Sequence, residues 1–461
     1  MRLRFKEFFR SRLVLVTCIV AILSISSYVV YLRYKHNHLP LNLVLISIDT
    51  LRADRLGSYG YQRDTSPALD KLAQISTVFE RVVSPSSWTL PAHVSMMSGL
   101  YPSTHNIQKS RGQKIADSTV LLSKLLQENG YSTVGVTGGG FLSHVYGFNK
   151  GFDRFIEAEK YAPGKERTSI HYAVKTARKE LKKISEEKPF FLFLHTYDVH
   201  CPYSPPKAYS MMYQSDDADE IEADHCGNTY YNVNKTTKEN ALYLSDRYDE
   251  SIRAVDDSLG KFFDYLKSRN DYERTVIVVT SDHGEEFFEH GKIGHDSSLY
   301  SELLFVPMIM HVPNAEAQRI SEHVSLVDIF PTVMDVLNLW YPPNVDGASL
   351  AKMVKGEVAP YKVRPFEFSE LKRGLNAFSR IGDRSQLIVT ENNEESYFFD
   401  LVKDPTEQNN LVLRKPDWFS AKHNELLSFI SSRSRIGLNI TPDVQTERED
   451  QIKRLQSLGY L

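Results

Sequence analysis

Cysteine is scarce, with three residues in a chain of 461. That excludes a disulfide-built scaffold and any zinc module held by four thiolates. A surplus of positive charge is missing too: 55 Lys and Arg stand against 58 Asp and Glu, a formal net charge of −3. Non-specific nucleic-acid binders show a basic excess, so no nucleic-acid partner is expected. There is no internal repeat and no low-complexity tract. With 41% hydrophobic and 25% charged residues, the make-up is that of a folded globular protein.

Long apolar runs free of charge are absent but for one. Leu13 to Leu32 carries no charge and is mostly Leu, Val and Ile. A run of about 20 apolar residues is the length that crosses a bilayer core. Arg2, Arg4, Lys6, Arg10 and Arg12 precede it against a single acid, Glu7. Basic residues stay on the cytoplasmic side. The expected layout is a cytoplasmic tip over 1–12, a single-pass transmembrane signal anchor over 13–32 and a linker over 33–40. All later residues would then be exoplasmic (periplasmic, extracellular or lumenal), with the lipid bilayer as a partner. A cleaved signal peptide fits less well, because the run is long and no small-x-small site follows it.

Asn42 to Ile48 is a continuous apolar run, suited to a central parallel strand covered on both faces. Similar runs lie at Thr133 to Thr137, Pro189 to His195, Thr275 to Thr280 and Val306 to His311. Helical patterns fall at Ser118 to Asn129, Ser169 to Glu186, Glu239 to Lys267 and Leu326 to Leu339. This alternation predicts an α/β fold with a mostly parallel central sheet flanked by helices. Ligands of such sheets gather at the carboxyl ends of the strands. Pro342-Pro343 breaks the pattern. Short β-like runs at Gln386 to Thr390 and Tyr397 to Leu401, and a helix near Trp418 to Ser431, follow it. They predict a smaller C-terminal α+β subdomain over 341–461, after a catalytic domain over 41–340.

Two apolar runs end in residues of metal-binding type. Asp49 stands where the first stops, and Ser281-Asp282-His283-Gly284 follows Thr280. Carboxylates with an imidazole are a common divalent-metal donor set. Taken singly, each segment also reads as a helix cap or a buried structural histidine. Thr89, two residues before Pro91, suits the first turn of a helix running to about Ser98. A hydroxyl there sits among N–H groups that favour anions. Alone it also reads as a plain N-cap.

Asp49, then Thr89, then Asp282-His283 resemble, in that order, the sulfatase branch of the alkaline phosphatase superfamily. The resemblance runs along nearly all of the chain after residue 40. It rests on Asp49-Thr-Leu-Arg-Ala-Asp54, Trp88-Thr-Leu-Pro-Ala-His93 and His195-Thr-Tyr-Asp-Val-His200. It continues in Ser281-Asp-His-Gly-Glu-Glu286, Glu289-His290-Gly291, Gly294-His295 and the late segment Phe399 to Leu411. It implies an alkaline-phosphatase-like core and a role for each matching position. Asp49, Asp282 and His283 match the metal ligands. Thr89 matches the nucleophile, its oxygen also touching the metal. His200 matches a ligand of the substrate's anionic oxygens, and His295 a residue on the leaving-group side. His93 falls where sulfatases carry an arginine that supports the nucleophile. His195 joins the substrate-binding set; with Asp198 it reads either as hydrogen-bonding support or as part of a second metal site. His290 reads as structural.

Departures from the family bear on the substrate. Sulfatases proper place Cys or Ser at the nucleophile position, within Cys-x-Pro-x-Arg, and oxidise it to formylglycine. The hydrated aldehyde releases sulfate by elimination, without attack on sulfur. Thr89 cannot become an aldehyde, and His93 replaces the arginine. Threonine thus points to phosphate or phosphonate esters, which have an ordinary in-line route at phosphorus. Thr50 replaces a second family aspartate. The site is then poorer in carboxylates, which favours Zn or Mn over Ca or Mg. The Lys-x-His segment of many sulfatases is not visible around Gly138 to His144.

The expected protein is a membrane-anchored, metal-dependent hydrolase acting through a covalent Thr89 intermediate. Its substrate is a phosphate, phosphonate or sulfate ester of a lipid, glycan or small molecule outside the cytoplasm. Transfer to a lipid or glycan hydroxyl and formylglycine-independent sulfate hydrolysis are the alternatives. A non-catalytic binding protein is a third class, against which the retained site residues speak. Cys201 and Cys226, both expected to be exoplasmic, are predicted to pair, with a loop-closure effect on the order of 3 kcal/mol.

Overall fold

The computed structural model describes residues 39–108, 113–157, 169–221, 236–359, 363–373, 375–390, 396–414 and 419–435, together with Ser24, Ser26 and Ser27. The main strands are β1 (Asn42–Ile48), β2 (Thr77–Val83), β3 (Ser132–Thr137), β4 (Arg154–Glu157), β5 (Phe190–Thr196) and β6 (Thr275–Thr280). A two-stranded hairpin, β7 (Glu286–Phe287) and β8 (Ile293–Gly294), precedes β9 (Phe305–His311) and β10 (Gln318–Ser325). Eight of them form one sheet, in the order β10-β2-β9-β6-β1-β5-β3-β4.

β1 lies inside the sheet, parallel to β5 on one side and to β6 on the other. Every residue of β1, β5 and β6 is buried. Alternate side chains of β1 enter different cores, as the two-residue period requires. Leu43 and Leu45 pack with the helices Thr89–Ser98, Leu122–Glu128 and Ile329–Val336. Val44 and Ile46 pack with the helices Pro67–Ala73, Ser169–Leu181 and Lys238–Lys267. Both faces being covered explains the unbroken apolar runs.

β9 differs from expectation. It runs antiparallel to both β2 and β6, against the direction of the other strands. Apolar composition reports burial on both faces and carries no direction. β2 and β10 were not visible in the hydropathy pattern, because Glu80, Arg81, Arg319 and Glu322 interrupt it. After the sheet, β11 (Glu367–Arg373), β12 (Leu375–Ile381), β13 (Ser385–Thr390) and β14 (Ser396–Asp400) form a four-stranded antiparallel sheet. Phe368, Phe378, Leu387 and Phe398 gather there with Phe419 and Leu426 of the helix Phe419–Arg435.

The expected membrane anchor is corrected. Among the described residues, no helix is long and apolar enough to cross a membrane. Within 13–32 only Ser24, Ser26 and Ser27 are described, helical and exposed; the rest, like the basic tip, lies outside the described residues. An apolar run supplies the length for a span but does not by itself make one. The single-pass location and the bilayer partner are withdrawn with it. Cys201 is disulfide-bonded; Cys226, its expected partner, lies outside the described residues.

Candidate active site

β1 and β6 deliver acidic side chains to one point. Their register pairs Ser47 with Thr280, so the two strands end level. Asp49 follows β1 directly, and Asp282 and His283 follow β6 after Ser281. The chain turns sharply at both exits. Thr50 has a φ of 59°. Gly284 cannot carry a side chain, since a Cβ would collide with the carbonyl oxygen of Glu302.

Thr89 opens a helix whose ten residues are all buried. Its hydroxyl lies 3.4 Å from Asp49 Oδ2 and 3.3 Å from His283 Nε2. One donor atom each from Asp49, Asp282 and His283 fall within 4.8 Å of one another. His283 Nδ1 faces the Gly284 carbonyl at 2.9 Å. A carbonyl only accepts, so Nδ1 holds the proton and Nε2 turns a lone pair to the cluster.

The electrostatics call for a cation. Burial, and then the neighbouring Asp282 and Glu285, hold the Asp49 carboxyl well above the usual range; burial also pushes Asp282 up. Among the described residues no Lys or Arg pairs with either. Asp49 Oδ1 and Asp282 Oδ2 are buried without a hydrogen bond. Two buried carboxylates, two oxygens without hydrogen bonds and an inward lone pair fit a divalent metal ion. These three residues can hold one, with the Thr89 oxygen adjacent.

The remaining histidines surround this centre. His195 Nδ1 receives the Gly138 N–H at 3.4 Å, so its Nε2 is the proton bearer towards Asp49 Oδ2, at 3.3 Å. His93 sits one helical turn into the helix. Its Nδ1 donates to the Thr89 carbonyl at 3.0 Å, and its Nε2 meets Ser47 Oγ at 2.8 Å. It thus holds the backbone of Thr89 to β1. His200 and His295 face each other with ring centroids 4.9 Å apart, and His295 lies 4.4 Å from the His283 ring. Burial lowers His200 and His295 to about 3, helped by His295 for the first and by Arg373 for the second. Asp198 is occupied elsewhere: its carboxylate accepts from the backbone of Ser169 and Ile170 at the start of the helix Ser169–Leu181. That engagement explains Asp198 without a second metal site beside His195.

Two residues near the centre were not legible in the sequence. Glu285 Oε1 meets His295 Nδ1 at 2.7 Å, and burial raises its carboxyl to about 7. Its place in Ser-Asp-His-Gly-Glu-Glu was the only local signal. Arg373 arrives from the end of β11, in the C-terminal sheet. It pairs with Asp296 at 3.1 Å and lies over the Trp88 ring at 5.0 Å. Its charge contributes to lowering both His283 and His295.

A mixed α/β sheet with a small antiparallel C-terminal sheet is the alkaline-phosphatase-like fold. The model of the sulfatase family matches residues 41–339, and one described as N-sulphoglucosamine sulphohydrolase, C-terminal, matches residues 289–426. The chain belongs to the sulfatase family and is a hydrolase of that family. An arylsulfatase of Clostridium perfringens (strain 13 / Type A) is 22% identical over 447 residues, covering 80% of this chain and 90% of its own. The phosphonate monoester hydrolase of Agrobacterium radiobacter shares the fold with a TM-score of 0.72 and 20% identity, over 85% of this chain and 96% of its own. A protein solved with its substrate D-glucosamine-2-N,6-O-disulfate has a TM-score of 0.71 and 18% identity, over 88% of this chain and all of its own (100%).

Proposed function

We propose that the protein hydrolyses a phosphate or phosphonate ester of a glycan or small molecule through a covalent Thr89 intermediate, with one divalent ion on Asp49, Asp282 and His283. The observation that carries this reading is the Thr89 hydroxyl, 3.3 Å from His283 Nε2 and 3.4 Å from Asp49 Oδ2. A bound divalent ion would lower the pKa of that hydroxyl and polarise the ester. The donor set of carboxylates and imidazole favours Zn or Mn.

The residues then divide the work. Thr89 Oγ1 attacks phosphorus in line and loses its proton to Asp49 Oδ2. The bond from phosphorus to the leaving oxygen breaks on the opposite side. Glu285 and His295 share a hydrogen bond of 2.7 Å, and burial holds Glu285 near about 7. A proton on Glu285 can pass to His295 Nδ1 while Nε2 gives its own to the leaving oxygen. His200, across from His295, contacts the phosphoryl oxygens. Water then displaces Thr89 from phosphorus: its proton passes to His295 and restores Glu285, and Asp49 returns a proton to Thr89 Oγ1. His93 acts through the backbone of Thr89, and His195 through the carboxylate of Asp49; both are positioning residues.

The test is a paired assay on purified protein, using an aryl phosphate diester, an aryl phosphonate and the matching aryl sulfate. The phosphorus esters are expected to react at least about tenfold faster, roughly 1.4 kcal/mol in barrier. The reverse order would favour the sulfate reading suggested by the arylsulfatase relative, and would overturn the argument from Thr89.

Arg373 supplies a further expectation. If its guanidinium counters substrate charge beside His295, Arg373→Ala lowers kcat/KM by about 10- to 100-fold, roughly 1.4–2.7 kcal/mol, with Lys restoring part of it. Steady-state kinetics reads this directly, and an unchanged kcat/KM removes Arg373 from the substrate's surroundings.

A further inference from the structure

A second group of donors lies where the β7–β8 hairpin meets the segment 404–411. One donor atom each from Glu286, His290 and Glu302 fall within 4.8 Å of one another. Glu286 is 1% exposed. Its Oε1 accepts the backbone N–H of His290 at 3.0 Å and of Lys292 at 2.8 Å. Its Oε2 is buried without a hydrogen bond.

His290 is held in one orientation. Its ring stacks on Tyr300 with centroids 3.6 Å apart, and Nε2 faces the Glu407 carbonyl at 3.2 Å. The Gln408 amide nitrogen lies 3.4 Å from the same Nε2. Nδ1 faces Glu302 Oε1 at 2.7 Å, a pair that can share a proton or be shared by a metal ion. Glu407 adds a third acid: it is 2% exposed, its Oε2 accepts from Ser301 N at 2.7 Å, and its Oε1 is buried without a hydrogen bond. Among the described residues no Lys or Arg forms an ion pair with Glu286, Glu302 or Glu407. Without an ion, burial raises the Glu286 and Glu407 carboxyls to about 7 and about 8, so protons offset part of their charge. A divalent ion would replace those protons and take up the Glu286 oxygen that has no hydrogen bond.

We propose that Glu286, His290 and Glu302 form a divalent-cation site separate from the Asp49-Asp282-His283 centre. Two carboxylates and an imidazole suit Mn or Zn. The Glu407 carbonyl orients the imidazole from behind, as the outer partners of metal-bound histidines do. The ion thereby ties the segment around Glu407 to the hairpin that follows the catalytic acids.

The test uses the full-length protein, stripped of metal, loaded with Mn2+ alone and freed of excess, with manganese counted per chain. Glu302→Gln and Glu286→Gln are each expected to hold one ion fewer than the wild type, while Asp282→Asn keeps the ion that they lose. Glu286→Gln retains an oxygen for the two backbone N–H groups, so it provides the count if Glu302→Gln does not fold. The rise in melting temperature on adding Mn2+ to Asp282→Asn is expected to vanish when Glu286→Gln is combined with it. Variants at 286 and 302 that bind as much manganese as the wild type, or an Asp282→Asn chain that binds none, would overturn the proposal.

Discussion

Thr89→Ala is expected to lower kcat by about four orders of magnitude, roughly 5.5 kcal/mol in barrier, while metal stays bound. The size follows from the covalent route: without Oγ1 the in-line attack has no nucleophile, and only transition-state electrostatics remain. Metal retention follows because Asp49, Asp282 and His283 are untouched. The fold should survive. The helix Thr89–Ser98 is buried all round, but the change removes only a hydroxyl and a methyl group. Thr89→Ser keeps the hydroxyl and is expected to stay within about tenfold of the wild type. Acid-quenched protein with a good leaving-group substrate, which forms the intermediate faster than water removes it, should carry phosphoryl on the peptide containing residue 89. An alanine variant with wild-type rates would refute the nucleophile.

Removal of the catalytic ion is expected to have the next largest effect. Asp282→Asn should lower kcat/KM by about 10³-fold, roughly 4 kcal/mol, and chelation of the wild type should halt turnover. Asp49 and Asp282 are both fully buried and face no Lys or Arg among the described residues. A divalent charge would relieve their mutual repulsion, so a bound ion is expected to stabilise the native state as well as the reaction. A ligand that binds only the native state, at 100 times its Kd, adds about 2.7 kcal/mol. Stripped protein should therefore melt lower and recover on reloading. Full activity in a strong chelator would remove the metal from the mechanism.

What could be read from the sequence follows from what is local. Asp49 and Asp282-His283 are legible because β1 and β6 are buried on both faces, so each apolar run ends abruptly at its candidate site residue. The helix at Thr89 was legible from Pro91. His195 reads from the sequence as a substrate-binding residue, because its bond to Asp49, which spans 146 residues, has no local signal. Glu285 gains its meaning from His295, ten residues on, and Arg373 from Trp88 and Asp296 in other elements. The direction of β9 was hidden for the same reason: it is set by β2 and β6, both distant in the chain. β2 and β10 combine buried and charged positions, and the hydropathy pattern loses them.

The reversed β9 has a use for engineering. Because β6 and β9 are antiparallel neighbours, the chain leaves the sheet after Thr280 and rejoins it at Phe305, one strand away. Thr280 pairs with Met308, and the Gly284 N–H meets the Leu303 carbonyl at 2.9 Å, so the base of this excursion is closed. Extending a loop with tethered ends costs little; doubling its length adds about 0.6 kcal/mol. New residues inserted between Asp296 and Leu299 would therefore extend the wall beside His295 while the strand register stays as it is. A library built there would vary substrate choice on an unchanged core.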